Sequence, residues 1–281
     1  MVTVGVVTGA ASGMGRACAE RIAALVDVVV LVDRNQDALV DVATRLGAQA
    51  ASARCETYPL DVTDAAGVAA LTTRVADLGM LRVLVHAAGV SPVAADWRQV
   101  LTIDLGGTAL VVEALSALAT TGTAIVCFAS IAPSLFGLNE ADSDSLAVID
   151  DPLSPEFLER IHAVRGPEIE NAELAYAWAK LGVRRLVERE AMTLGRRGAR
   201  ICSVSPGVID TPMMRSESEA RDADTTLLDL SPFERYGRAD EVAGAVAYLV
   251  SDDASFVNGI DLVVDGGLLA ALRSGGARPL E

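Results

Sequence analysis

The chain has 281 residues, with 23 basic against 38 acidic side chains and a net charge of −15. That balance argues against a nucleic-acid partner, which needs clustered Lys and Arg. Hydrophobic residues make up 51% and aromatics only 4%, so the core must be built from Ala, Val, Leu and Ile, and the chain is long enough to bury a large one.

Short apolar runs alternate with segments of helical spacing. "TVGVVTG" reads as a buried strand ending in glycine, and "GRACAERIAALV" as the helix after it. "DVVVLVD" is a second strand, and "QDALVDVATRLG" a second helix with its stop at Gly47. "RCETYPLDV" is a weaker third strand, followed by the helix "DAAGVAALTTRVADLG" and a fourth strand, "LRVLVHAAG". A long helical segment spans about 95–119, and "GTAIVCFAS" is the fifth strand. After an irregular region comes a helix over about 172–196. "ARICSVSPG", the helix "ADEVAGAVAYLVS" and "GIDLVVDGG" close the series. Strands alternating with helices predict an α/β fold: a doubly wound, mostly parallel seven-stranded sheet with helices on both faces.

The sequence contains no repeat, linker or domain boundary, so residues 1–281 are expected to form a single domain. Two segments leave the rhythm: an acidic, proline-containing insert at 132–171 and a polar loop at 208–236. Both follow strands, at the carboxyl edge where open α/β sheets bind ligands. Cys18, Cys55, Cys127 and Cys202 form no Cys-x-x-Cys pair, and His86 and His162 are the only histidines. Neither a disulfide framework nor a metal site is expected, and the thiols read as buried and inert. The N-terminus lacks the basic flank and apolar core of a signal peptide. The run "IAALVDVVVLV" is too short to span a bilayer and contains Asp27. A cytoplasmic protein without a membrane partner is expected.

The first strand ends in "TGAASGMG", with Gly9, Ser12, Gly13, Met14 and Gly15 in the strand-to-helix turn. Such a turn lets a pyrophosphate approach the backbone at a helix N-terminus. Asp33 ends the second strand, where a carboxylate accepts from a ribose 2′-hydroxyl and repels a 2′-phosphate. This favours NAD over NADP, although Arg34 is a possible partner for that phosphate. Tyr176 and Lys180 lie four apart on one helix face. A lysine ammonium beside a tyrosine favours the phenolate, which suits proton exchange with an alcohol or carbonyl. The spacing alone does not separate this from a half-buried tyrosine beside a snorkelling lysine. Ser130, at the end of the fifth strand, supplies the context, because its hydroxyl sits at the same sheet edge.

With these residues in place, the chain resembles the short-chain dehydrogenases/reductases in their single-domain form, nearly end to end. "TGAASGMG" is similar to the family's TGxxxGxG loop, "LDV" with Asp61 and Val62 to its adenine-contacting strand end, and "HAAG" to its NNAG element. Ser130, Tyr176 and Lys180 match the catalytic Ser and YxxxK, and "PGVIDTPM" matches the PGxxxT element. The resemblance implies a Rossmann-type fold and hydride transfer between a secondary alcohol and a nicotinamide dinucleotide. It implies that Tyr176 exchanges the proton, Lys180 holds the nicotinamide ribose, and Ser130 orients the substrate oxygen. Asp61, Val62, Ala88 and Gly89 would line the adenosine side, and Pro206, Gly207, Ile209 and Thr211 the nicotinamide end.

Asp104 departs from the family pattern by standing where an Asn usually helps a water relay protons to the lysine. Either Asp104 enters that relay or its role is structural, and it motivates a rival reading as a dinucleotide-binding regulatory protein. The 46-residue separation of Ser130 from Tyr176 resembles the bacterial 3α-hydroxysteroid dehydrogenase/carbonyl reductase subgroup. The insert is expected either to cover the substrate cleft or to alter subunit pairing. Family habit implies a homodimer or homotetramer. Met213, Met214, Leu227, Leu228 and Phe233 suggest an apolar wall for a hydrophobic alcohol or ketone such as a steroid.

Overall fold

The computed structural model describes residues 1–48, 53–138, 141–215, 228 and 230–274. Seven strands form one sheet: β1 (Thr3–Thr8), β2 (Val28–Asp33), β3 (Arg54–Pro59), β4 (Met80–His86), β5 (Ala124–Phe128), β6 (Arg200–Pro206) and β9 (Asp261–Val264). Their order is β3-β2-β1-β4-β5-β6-β9, and every pairing is parallel. The order reverses between β1 and β4, where Thr8 and His86 stand side by side in register. A doubly wound sheet binds its ligand outside the carboxyl ends of the strands at such a switch point.

The five inner strands are largely apolar on both faces because both are covered, whereas the edge strands β3 and β9 are only partly buried. In β2, Val28, Val30 and Val32 join one core cluster, while Val29 and Leu31 join the other. This is the two-residue period of a strand. One face is covered by α1 (Gly13–Ile22), α2 (Gln36–Gly47) and α10 (Ala239–Val250). The other is covered by α3 (Ala65–Leu78), α4 (Trp97–Val100), α5 (Thr108–Ser116) and α9 (Ala172–Gly195). Polar side chains cap several of these helices. Asn35 accepts from the Ala38 amide at 3.1 Å, and Asn171 from those of Glu173 and Leu174 at 2.9 and 3.0 Å. Each such cap contributes about 1 kcal/mol.

The structure corrects the sequence expectation in five places. The helix over 95–119 is divided: Asp96 caps α4, a π-helix occupies Leu101–Gly107, and α5 follows. Gly47 does not stop α2 but lies in its last turn, with Ala48 capping in right-handed helical backbone. Ser130 lies two residues beyond the end of β5. The insert is helical, with α6 (Ala132–Leu135), α7 (Ser143–Ile149), α8 (Phe157–Arg165) and a 3₁₀ turn (Gly166–Glu170). A separate two-residue ribbon, β7 (Ile209–Asp210) with β8 (Gly237–Arg238), ties together the ends of the 208–236 loop. Within that loop, residues 216–227 and 229, including Leu227, lie outside the described residues. A final helix, α11 (Leu268–Arg273), follows β9.

The stretch Trp97–Ser116 is long and apolar enough to cross a membrane, yet most of it is buried within the fold. Asp150, at the end of α7, ties the insert to α9 by accepting from Arg185 Nε at 2.7 Å and Arg185 Nη2 at 2.5 Å, and from Arg189. The His162 ring packs on Trp97 at 5.7 Å and bonds Glu170 at 2.8 Å. Trp178 is fully buried. Cys18, Cys127 and Cys202 are buried and Cys55 half-buried. Burial pushes the Cys18 and Cys127 thiols up to about 12, which keeps them protonated and unreactive.

Candidate active site

At the switch point lies a cleft of about 870 Å³, part of it open to solvent. It is lined by the glycine turn (Gly9, Ser12, Gly13, Met14, Gly15), by Asp33 and Arg34, by Asp61 and Val62, by Ala88 and Gly89, and by Thr211. The cleft therefore gathers residues from four strand ends and the 208–236 loop. Met213 and Ile103 complete its wall.

The turn is shaped by sterics. Gly9 and Gly13 have φ of +66° and +52°, and a Cβ on Gly15 would fall 2.1 Å from the Gly9 carbonyl oxygen. Only glycine permits this approach of α1 to β1. Asp33 is held at the rim, with Oδ2 accepting the Ala11 amide at 3.2 Å and Oδ1 the Asn35 amide at 3.0 Å. Asp61 accepts from the Thr63 amide at 2.9 Å and hydroxyl at 2.7 Å, and these bonds hold its carboxyl below the usual range. A bare backbone turn at a helix start, with a rim carboxylate, suits a pyrophosphate and an adenosine ribose. The residues present fit a nicotinamide dinucleotide.

Ser130, Tyr176, Lys180, Asp104, Pro206, Gly207 and Ile209 do not line this cleft. Gly89 and Val90 join the first group to it. The Val90 amide donates to Asp104 Oδ1 at 2.8 Å. A Cβ on Gly89 would fall 2.6 Å from that oxygen and 3.6 Å from Lys180 Nζ. Lys180, almost fully buried, donates to the Phe128 carbonyl at 3.1 Å, and its Nζ lies 5.4 Å from the Tyr176 ring centre. The half-buried Ser130 accepts the Ala132 amide on Oγ at 3.1 Å, leaving its hydroxyl proton to be donated. Helix α9 reaches this position because Gly182 meets the π-helix closely: a Cβ there would strike Leu105 Cδ2 at 2.6 Å.

Two further ionisable groups sit beneath Lys180. Asp104 is fully buried in the π-helix, and burial pushes its carboxyl above the usual range against the pull of Lys180 and the Val90 amide. His86, at the end of β4, shares the Thr8 hydroxyl (3.0 Å) with the Ala88 amide (3.1 Å). Burial, aided by the charge of Lys180, lowers its imidazole to about 3, so it is neutral at ordinary pH.

The expected apolar wall is divided. Met213 lines the dinucleotide cleft, whereas Leu228 and Phe233 line a second cavity of about 560 Å³ with Ile209 and Leu268. No described residue of 132–171 lines either space. Sequence reasoning missed Arg184, which bonds the Ser130 carbonyl from one turn beyond Lys180. No motif marks it, although its i+4 spacing from Lys180 places it on the same helix face.

The family model described as short chain dehydrogenase matches residues 3–138, and one described as Enoyl-(Acyl carrier protein) reductase matches residues 160–269. The chain is 37% identical to a cis-4-hydroxycyclohexanecarboxylate dehydrogenase from Sinomonas cyclohexanicum, covering 95% of this chain and 96% of that one. It is 32% identical to a cyclohexanol dehydrogenase from Acinetobacter sp. (strain SE19), covering 94% and 93%. The crystal structure of the 3-alpha-hydroxysteroid dehydrogenase from Pseudomonas sp. B-0831, complexed with NADH, superposes with a TM-score of 0.77 at 27% identity, covering 97% and 98%. By its glycine turn, its switch-point cleft and these likenesses over almost its whole length, the chain belongs to the short-chain dehydrogenase/reductase family and is an enzyme acting on CH–OH groups with a nicotinamide dinucleotide.

Proposed function

We propose that the enzyme interconverts a hydrophobic, cyclic secondary alcohol and its ketone with NAD(H), using Ser130, Tyr176 and Lys180. One observation carries this reading: the dinucleotide cleft is lined by Gly89, against which Asp104 and Lys180 are packed. When bound, the nicotinamide supplies the hydride acceptor or donor. Tyr176 takes the hydroxyl proton of the alcohol, or returns it to the carbonyl oxygen. The Lys180 ammonium beside its ring stabilises the phenolate electrostatically and offers donors to the nicotinamide ribose. The Ser130 hydroxyl donates to the substrate oxygen and orients it. Pro206, the last residue of β6, and Gly207, Ile209 and Thr211 beyond it would hold the nicotinamide end.

Asp33 favours NAD. Both of its oxygens face backbone amides at the rim, and a 2′-phosphate there would meet a carboxylate. The cyclic substrate class rests on the likeness to the cis-4-hydroxycyclohexanecarboxylate and cyclohexanol dehydrogenases. We further read residues 1–281 as one dinucleotide-binding domain, cytoplasmic and homodimeric or homotetrameric, which light scattering would test.

The direct experiment offers cyclic secondary alcohols and hydroxysteroids with NAD or NADP and follows absorbance of the reduced cofactor. Turnover with NAD is expected for at least one alcohol. Tyr176→Phe should lower kcat at least about a thousandfold with NADH affinity within about twofold. Full activity in that variant would overturn the assignment.

A further inference from the structure

We propose that Arg184 is a positioning residue for Ser130, locking the serine's backbone from α9 and linking it to the edge strand β9 through Ser205 and Asp261. This rests on the reading of Ser130 as the group that orients the substrate oxygen.

Ser130 stands just beyond β5, where regular strand pairing ends. The amides on either side still reach β6: Ala129 donates to the Val204 carbonyl at 2.8 Å, and Ile131 to that of Pro206 at 3.3 Å. The carbonyl of Ser130 itself turns toward α9 and accepts from Arg184 Nη2. The Ser205 hydroxyl lies 3.0 Å from the same carbonyl oxygen. It also lies 2.9 and 2.8 Å from the two oxygens of Asp261. A hydroxyl has one proton, so Ser205 cannot serve both acceptors. Arg184 resolves this shortage by supplying the second donor.

The guanidinium is fixed in turn. Its Nη2 and Nε donate to Ser205 Oγ at 3.0 and 3.3 Å, and Nε pairs with Asp261 Oδ2 at 3.1 Å. Asp261 also accepts from Ser203 at 2.7 Å. The Arg184 and Asp261 side chains are only 13% and 20% exposed, so water competes little for these bonds. The planar fork of arginine reaches a carbonyl, a hydroxyl and a carboxylate together, which the point charge of a lysine cannot. Because the Ser130 peptide is held on its amide flanks by β6 and on its carbonyl by Arg184, the direction of its Cα–Cβ bond is set from outside the reaction centre. A misplacement of about 1 Å in such a group lowers turnover by about a hundredfold.

The test is a double-mutant cycle on the fastest alcohol of the panel. Ser130→Ala, Arg184→Met and the double variant are compared for kcat, for KM toward NAD, for NADH affinity by fluorescence and for thermal midpoint. Arg184→Met is expected to lower kcat about tenfold or more while NADH affinity stays within about twofold. In the Ser130→Ala background the same change is expected to lower kcat no further. Arg184→Lys, which keeps the charge but not the fork, should restore less than half of the lost kcat. If Arg184→Met does not fold, Ser205→Ala replaces it in the cycle, with an expected loss of about threefold that also vanishes without the serine hydroxyl. Unchanged kcat in Arg184→Met, or losses that multiply in the double variant, overturns the proposal. Full activity in Ser130→Ala is a different result: it overturns the role assigned to Ser130 itself.

Discussion

Asp104 accepts the Val90 amide on Oδ1 at 2.8 Å, while its Oδ2 is buried with no hydrogen-bond partner among the described residues. One residue thus bridges the dinucleotide cleft and the buried floor beneath Lys180. Burial raises its carboxyl pKa above the unfolded value, so between those two values the folded state holds a proton that the unfolded state has lost. Stability should therefore fall as pH rises through that interval and level off above it. Asp104→Asn removes the titration while keeping an oxygen for Val90. The variant should be more stable than the parent at pH 8, on the order of 1 kcal/mol, by a margin that grows as pH rises through the interval. Thermal midpoints of both proteins between pH 4 and 9 check this, and a parent-to-variant difference that stays constant across the interval would contradict it.

His86 titrates with the opposite sign. Its folded value, about 3, is depressed below the ordinary 6.5, so the unfolded state takes up the proton first as pH falls. The stability contributed by keeping the imidazole neutral is complete above about 6.5 and is lost down to about 3. His86→Asn, which cannot be protonated, should move the midpoint of acid unfolding to lower pH, as read by circular dichroism. An unchanged midpoint would mean that His86 does not govern the acid limb.

Gly182 sets the approach of α9 to the π-helix. Gly182→Val places a side chain where Leu105 already lies. Overpacking of this kind costs about 1–3 kcal/mol, and here it also shifts Lys180 relative to Gly89 and Asp104. The expected result is a lower thermal midpoint together with a fall in kcat larger than the change in KM for NAD. A fall in stability with kcat intact would show that the helix spacing does not reach the reaction centre.

Asp33 should carry cofactor choice. Asp33→Ser removes the carboxylate that repels a 2′-phosphate, leaving the exposed Arg34 beside it. The kcat/KM ratio for NAD over NADP should fall by about tenfold or more, equivalent to about 1.4 kcal/mol. Steady-state kinetics with both cofactors decides the matter, and an unchanged ratio would remove Asp33 from that role.

The sheet was readable from sequence because most strands carry their own apolar run and most helices their own period. The same holds for the cleft, whose glycine turn, Asp33 and Asp61 sit at strand ends fixed by those runs. What the sequence hid depends on distant partners. The π-helix looks like ordinary helix in "LTIDLGG", since its register is set by α9 and the sheet. The ribbon of Ile209–Asp210 with Gly237–Arg238 joins segments far apart in the chain, and two residues carry no alternation to detect. The insert looked irregular because its helices are short and hold their place through Asp150 and two arginines on α9. Arg184 was invisible for a related reason: its partners, Ser130, Ser205 and Asp261, come from three different elements.

The attachment of Asp150 to Arg185 and Arg189 has a consequence for how this chain tolerates change in length. The excursion over 132–171 is fastened near its middle, so it behaves as two short closures rather than one long one. Closure entropy grows only logarithmically, by about 0.6 kcal/mol for each doubling of a loop. Residues added to or removed from either half would therefore shift stability little, and the fastening would keep that slack from reaching Tyr176. Descendants of this sequence can vary the rim of the molecule in length while the helix bearing Tyr176 and Lys180 keeps its place.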